Sequence, residues 1–226
     1  DMKNDLEILY EDNHIIVVVK PFNILSQSDD TKDIDMLTLI KSYLKEKYNK
    51  PGNVYLGLVH RLDRPVGGVM VFAKTGKAAG RISDMVRTHQ FKKTYLAIVE
   101  GKVPDDGIFE DNLLKLEKEN RTIVDKKGKY AKLSYKLIKY IDGLSLVKIN
   151  LETGRSHQIR VQFSSRGFPL WGDQKYNKNA KVGEQIALWA YKIEFKHPIT
   201  KEKEVFKCEP FWNEYPWILF GSDNFE

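Results

Sequence analysis

Between residues 6 and 198 the chain is broken into short apolar runs, most of them rich in Val, Ile, Leu and Tyr, with turn residues between them. LEILY (6–10) and HIIVVV (14–19) flank the turn EDN, and KP ends the second run. VYLGLVH (54–60), VMVFA (69–73) and residues 95–99, 131–139 and 144–151 have the same habit. ALWAYKIEFKHP (187–198) stops at His-Pro. Residues 35–48 and 76–89 place apolar residues at helical spacing, and ETGRSHQIRVQFSSRG (152–167) opens with a turn and continues as a helix or a second functional loop. So many strand patterns, without the regular strand–helix alternation of a parallel nucleotide-binding sheet, confine the chain to an α+β fold. The expectation is a mixed, mostly antiparallel β-sheet with flanking helices. Residues 102–130 read as small strands and hairpins on the rim, with KKGK (126–129) as a hairpin tip. The aromatic tail FKCEPFWNEYPWILF packs back on the body.

Length and composition narrow the setting. With 226 residues and 42% hydrophobic content, the chain is long enough for one sizeable core. It reads as a single catalytic domain over 1–226, undivided or as two lobes sharing one sheet. Cys208 is the single cysteine, so no internal disulfide forms, which fits a reducing compartment. IIVVV (15–19) is far too short to span a bilayer, and the acidic, polar start lacks the shape of a signal peptide. The expected location is the cytoplasm, away from membranes. Asp1 ahead of Met2 reads as a tag remnant before the native start. The net charge of +6 suits a nucleic-acid partner. Arginines fall inside the glycine-containing segments, at 61, 64, 155, 160 and 166.

The segment HRLDRPVGG (60–68) sets Asp63 between Arg61 and Arg64, in a tight Pro-Gly-Gly stretch between two strand patterns. Taken alone, Asp63 is either a surface partner of those arginines or a carboxylate held ionised by them. A persistent carboxylate can act as a nucleophile or stabilise a cationic sugar centre. No second carboxylate has a distinctive context; Glu152 and Asp173 are the nearest candidates for a hydrolytic pair. GRSHQIR (154–160) collects donors, Arg155, Ser156, His157, Gln158 and Arg160. They read as a solvated turn or as a holder of an anion or polar base. Arg155 or Arg160 could clamp Asp63 as a planar fork. Tyr95, in KKTYLAIVEG, reads as an ordinary strand tyrosine or as a stacking face for a base. The histidines show no metal-ligand spacing, there is no CxxC, and neither GxGxxG nor a P-loop occurs, so no metal and no cofactor is expected.

HRLDRPVGG resembles the catalytic loop of the RluA-type family of pseudouridine synthases, whose pattern reads HRLDRxTSG. IIVVVKP (15–21), KTYLAIVEG (93–101), LETGRSHQIRVQF (151–163), FPLWGDQKY (168–176) and ALWAYKIEFKHP (187–198) are similar to that family's further segments, in order, over nearly the whole chain. The resemblance implies a pseudouridine synthase fold with a central RNA-binding cleft, and an isomerase converting uridine to pseudouridine in ribosomal or transfer RNA. It implies that Asp63 is the catalytic aspartate and that Tyr95 stacks on the flipped base and moves its C5 proton. Arg160 would pair with the aspartate, Ile159 would pack on the uracil, and Arg61 would help displace the target nucleotide. Arg64, Arg155 and His157 join the substrate-binding set. The family's Thr-Ser is Val66-Gly67 here, and two family histidines are Gln162 and Trp189. With the first family motif so near the start, the expectation is a catalytic body without a preceding S4 domain.

RNA is therefore the expected partner, bound by a monomer with no obligate protein partner. Two other readings compete. One is a catalytically inactive RNA-binding relative. The other is a nucleoside or glycoside hydrolase, which would release free uracil.

Overall fold

The computed structural model describes residues 5–221; the Asp1–Met2 start lies outside them. The fold is α+β, a mixed, mostly antiparallel β-sheet structure with flanking helices. The chain divides into two compact units. One comprises residues up to Lys92 together with Lys192–Cys208, and the other Lys93–Tyr191 together with residues from Glu209 on.

In the first unit, β1 (Glu7–Glu11) and β2 (Ile15–Lys20) form an antiparallel hairpin. Asp12 shapes its turn: Oδ1 accepts the backbone N–H groups of His14 at 2.7 Å and Ile15 at 2.9 Å. Oδ2 accepts from the Tyr10 hydroxyl at 2.8 Å and lies 2.7 Å from His197 Nε2. β2 also pairs with β4 (Gly67–Ala73), from Ile15↔Ala73 to Lys20↔Gly68, and both strands are buried along their whole length. That is why IIVVVK is a continuous apolar run instead of an alternation. α1 (Met36–Lys47) and α2 (Gly76–Arg87) each start at a side-chain cap. Asp35 Oδ2 accepts Thr38 N–H at 3.0 Å, and Thr75 Oγ1 accepts Ala78 N–H at 3.1 Å. Ile15, Val17, Val69 and Val71 pack with Ile82 of α2, Phe91, and Ile193 and Phe195 of β10 (Leu188–Lys196).

One strand expectation in this unit changes, and one strand comes without any. Of residues 54–60, only Gly57–Leu58 form a strand, β3, against Ala73 and Phe72 of β4. A side chain at Gly57 would meet Ala79 Cβ of α2 at 3.0 Å, so this segment is pressed against the helix. β11 (Lys203–Lys207), paired with β10, has no sequence forecast: KEVFK is polar and buries none of its residues fully.

The second unit orders its strands β5-β9-β8-β6-β7, every neighbour antiparallel. These are β5 (Lys92–Glu100), β9 (Leu144–Leu151), β8 (Lys129–Ile141), β6 (Asp106–Leu116) and β7 (Arg121–Val124). β6 is a long strand, where short rim pieces were expected. Only Phe109 and Leu113 of its residues are buried, too sparse an apolar pattern to reveal it. The KKGK tip is a turn closed by Gly128 N–H on Asp125 O at 2.8 Å, and a Cβ at Gly128 would collide with the Leu113 backbone. The stretch after GRSH is a helix, α3 (Gln158–Ser164), buried from Gln158 to Phe163. Phe163 packs against Phe109 and Tyr135, with ring centroids 4.9 and 5.4 Å away. In the tail, Trp217 and Phe220 are buried, and Tyr215 and Phe211 meet Trp171 and Trp189 edge-on. No helix among the described residues is long and apolar enough to cross a membrane.

Candidate active site

Asp63 lies in the loop between β3 and β4, half-buried, and its backbone is held on both sides. Before it, the buried Ser26 hydroxyl accepts Leu62 N–H at 3.0 Å and donates to Leu62 O at 2.9 Å. One side chain thus serves both main-chain groups of Leu62, much as a neighbouring strand would. After it, Lys20 Nζ donates to Arg64 O at 2.9 Å and to Pro21 O at 3.0 Å. Asp63 O itself accepts Val66 N–H at 2.9 Å, closing a turn through Arg64-Pro65. Val66 is buried. Gly68 has φ 133°, a backbone that side-chain-bearing residues rarely adopt.

Lys20 is the charge beneath this loop. It is 0% exposed, and burial pushes its ammonium down to about 7. The Asp63 carboxylate pulls the other way, and Arg64 adds to the depression. The flanking arginines face outward. Arg64 Nη2 meets Asp33 at 2.8 Å in an exposed pair. With the Gln27 amide oxygen turned toward it, Arg61 donates to Gln27 from both Nη atoms at 3.2 Å. The Lys-Pro motif was visible in the sequence; the reach of Lys20 to Arg64 O was not, because the two residues are far apart in the chain. Ser26, in a stretch that reads only as loop, had no signal at all.

The other candidates belong to the second unit. Tyr95 is buried on β5, opposite Ile149 of β9. Lys93, two residues earlier and so on the same face of the strand, is pushed down by burial alone. A Cβ at Gly154 would lie 2.9 Å from Lys93 Nζ, so the glycine of the TGR segment leaves room for the ammonium.

α3 and its lead-in carry Arg155, His157, Ile159 and Arg160. Ile159 and Arg160 are buried, and His157 sits at the helix start with φ 55°. Arg160 places its fork on Asp173: Nε to Oδ2 at 2.9 Å and Nη2 to Oδ1 at 2.8 Å. The pair is out of water, with side-chain exposures of 5% and 0%. Asp173 Oδ1 also accepts the N–H groups of Lys175 at 3.0 Å and Tyr176 at 3.2 Å. Asp173 is thus the residue that sequence reasoning missed. It was considered only as half of a hydrolytic pair, and it is instead the seat of the arginine fork.

Arg155, His157 and Gln158 of GRSHQIR are engaged within this unit, as Arg160 is. Gln158 Oε1 accepts from Thr153 Oγ1 at 2.7 Å and Arg155 N–H at 3.0 Å, and its amide donates to Gln162 at 2.9 Å. Arg155 Nε donates to Tyr130 O at 2.8 Å, and His157 Nδ1 lies 2.6 Å from the Tyr176 hydroxyl. Gln162 is fully buried and donates to Asp111 Oδ2 at 3.0 Å, and Trp189 is buried in the core. The segment thus divides: Gly154 is exposed and Arg155 and Ser156 half-exposed at the turn, and from His157 on it is buried and runs into α3.

By membership, Arg61, Asp63 and Arg64 come together in one loop of the first unit, while Tyr95, Arg155, His157, Ile159 and Arg160 belong to the second. Among the described residues no cluster of His, Cys, Asp or Glu is placed to hold a metal ion.

Residues 14–165 match the protein-family model described as RNA pseudouridylate synthase. The chain is 34% identical over 202 residues, 88% of its length, to the uncharacterized RNA pseudouridine synthase YhcT of Bacillus subtilis. It is 32% identical over 218 residues, 90% of its length, to ribosomal large subunit pseudouridine synthase D of Zymomonas mobilis. The matches cover 66% and 69% of those proteins, so the chain spans about two thirds of the length of these relatives. Among solved structures, human RNA pseudouridylate synthase domain containing 4 aligns with a TM-score of 0.77 over 92% of this chain and 90% of that one. At 21% identity this is a likeness of fold. With the family model matched over most of the chain and the aspartate loop inside the matched region, the chain belongs to the RNA pseudouridylate synthase family.

Proposed function

We propose that this chain is an RNA pseudouridine synthase of the RluA type, with Asp63 as the carboxylate that acts on the target uridine. The observation that carries the reading is the hold on the backbone around Asp63, by Ser26 at Leu62 and Lys20 at Arg64, with Asp63 itself half-buried. Misplacement of a reacting group by about an ångström can cost roughly a hundredfold in rate, so a fixed backbone is what such a group requires.

The reaction breaks the N1–C1′ bond, turns the uracil, forms C5–C1′ and transfers the C5 proton away, while N1 ends protonated. Substrate and product are isomers, so the balance needs no oxidant and no reductant. Asp63 attacks C1′ or C6, or takes the C2′ proton; Tyr95 stacks on the base and moves the C5 proton. Arg160 orients the carboxylate, Ile159 packs on the uracil, and Arg61, Arg64, Arg155 and His157 hold the RNA. The target nucleotide leaves its stack first, at a cost on the order of a few kcal/mol, which loops and bulges reduce. Ribosomal RNA is the first substrate to try, since the similar Zymomonas mobilis protein is named for the large ribosomal subunit; transfer RNA is the second.

The test is Asp63→Asn, which keeps the shape and removes the charge. Folding and RNA affinity should persist while pseudouridine formation, on RNA from cells lacking the gene, drops to background. Appreciable turnover by the variant overturns the role of Asp63. Free uracil released by the wild type would replace the synthase with a hydrolase.

A further inference from the structure

Tyr176 is gripped more tightly than a packing tyrosine needs to be. Two guanidinium groups approach its ring, with Arg121 Cζ 4.8 Å and Arg160 Cζ 5.1 Å from the centroid. Its hydroxyl accepts Thr122 N–H at 2.9 Å and lies 2.6 Å from His157 Nδ1. Its own N–H is bonded to Asp173 Oδ1, the oxygen that also receives Arg160 Nη2. Arg121 closes the ring of contacts by donating to Lys175 O at 2.8 Å. Every one of these residues belongs to the second unit.

Each contact removes one freedom from Arg160. The Asp173 fork fixes the guanidinium in its own plane, because two parallel bonds define a direction. They leave the group able to rock about the axis joining it to the carboxylate. An aromatic face stops that motion, since the cation is attracted to the ring face within about 6 Å of its centroid. Burial raises the Tyr176 hydroxyl above its ordinary value, so the ring stays neutral. The concentration of positive charge has a visible effect: Lys175 is pushed down by burial and by the Arg160 and Arg121 charges. Two guanidinium groups at one ring repel each other, and the attraction of each to the ring offsets part of that repulsion.

We infer that Tyr176 is a positioning residue for the reaction: together with Asp173 it sets the plane of the Arg160 guanidinium, with its hydroxyl anchored at Thr122 and its ring as the flat stop. This rests on the reading that Arg160 serves the chemistry at Asp63.

The experiment combines two readouts on the full chain. The first is the single-turnover rate of pseudouridine formation at saturating RNA, with RNA affinity over a salt series. The second is hydrogen exchange of the Arg160 Nε–H, followed by NMR, which needs no substrate. Tyr176→Leu removes the ring. It should lower the saturated rate about 10- to 100-fold and speed Nε–H exchange, while RNA affinity and its salt slope stay near wild type. Tyr176→Phe keeps the ring and should restore most of the rate. If Tyr176→Leu does not fold, a fluorinated phenylalanine series at 176 keeps the shape and weakens the ring face stepwise. The rate should then fall in step with fluorination. A folded Tyr176→Leu with wild-type rate and exchange overturns the inference, as does a flat fluorination series. A lower salt slope with a normal saturated rate also overturns it and makes Tyr176 an RNA contact. Arg160→Ala separates the two levels: if it turns over normally, the reading of Arg160 has failed and the catalytic role of Tyr176 with it. If Arg160→Ala is impaired while Tyr176→Leu is not, only the inference has failed.

Discussion

Arg64 and Arg160 both occupy arginine-rich, glycine-containing segments, and the molecule holds the two segments in opposite ways. In the Asp63 loop the main chain is fixed, by Ser26 and Lys20, and the side chains of Arg61 and Arg64 point outward. In α3 the side chain is fixed: Arg160 is seated on Asp173 and against Tyr176, both within its own unit. A carboxylate that must reach a substrate can be positioned through the backbone on either side of it. A guanidinium that must present a fixed direction is positioned through its own fork, out of water. Similar sequence patterns therefore carry different energetics, because burial decides how much an ion pair matters.

The sharpest break of this contrast is Asp173→Ala. It leaves the Arg160 charge buried without its carboxylate, and losing one partner of a buried pair costs about 3–5 kcal/mol. The backbone N–H groups of Lys175 and Tyr176 lose their acceptor as well. Urea denaturation should show a loss of that order, with activity falling at temperatures where the variant still folds. A loss below about 1 kcal/mol would show that Asp173 is not what seats Arg160.

An intermediate effect concerns Lys20 and its pH dependence. Its ammonium is pushed from 10.5 to about 7 in the fold. Below pH 7 it is protonated in both folded and unfolded chains, and its full burial penalty is present. Between about pH 7 and 10.5 the unfolded chain binds the extra proton, so stability rises with pH across that window. Lys20→Met has no such proton. The stability of wild type relative to Lys20→Met should therefore grow by about 2 kcal/mol from pH 7 to pH 9. Denaturation curves at several pH values check this, and a pH-independent difference would mean that Lys20 stays charged beneath the loop.

The smallest effect belongs to the exposed pair. Arg64→Ala removes a contact whose partners are 43% and 47% exposed, so screening by water leaves little to lose. Its melting midpoint should match wild type within error, while RNA affinity weakens and its salt slope shrinks by less than one unit. A clear drop in the midpoint would make the Arg64–Asp33 pair a structural clasp of the loop and erase its difference from α3.

Much of this organisation could be read from residues in line. Period-two and continuous apolar runs placed β1, β2, β4, β5, β8, β9 and β10, and helical spacing placed α1 and α2, because each of these elements buries a regular face. β6 and β11 escaped notice since a strand that buries few side chains leaves almost no apolar pattern. The 54–60 run misled in the other direction: its apolar residues pack without pairing over most of their length. Asp63 stood out because local punctuation, Pro and paired Gly, marks a tight loop whatever surrounds it.

By itself the sequence determined the strand-rich α+β class and the pseudouridine synthase family, and it singled out the residues proposed for the chemistry, since periodicity, turn residues and contiguous motifs are local properties. Only the tertiary structure decided which groups hold those residues in place: Ser26 at Leu62, Lys20 at Arg64, Asp173 and Tyr176 at Arg160. Ser26 and Lys20 stand dozens of residues from the groups they hold, and Asp173 lies across a turn from Arg160. Hydrogen bonds and ring contacts act over a few ångströms in space, and chain separation carries no trace of them until the fold brings the partners together.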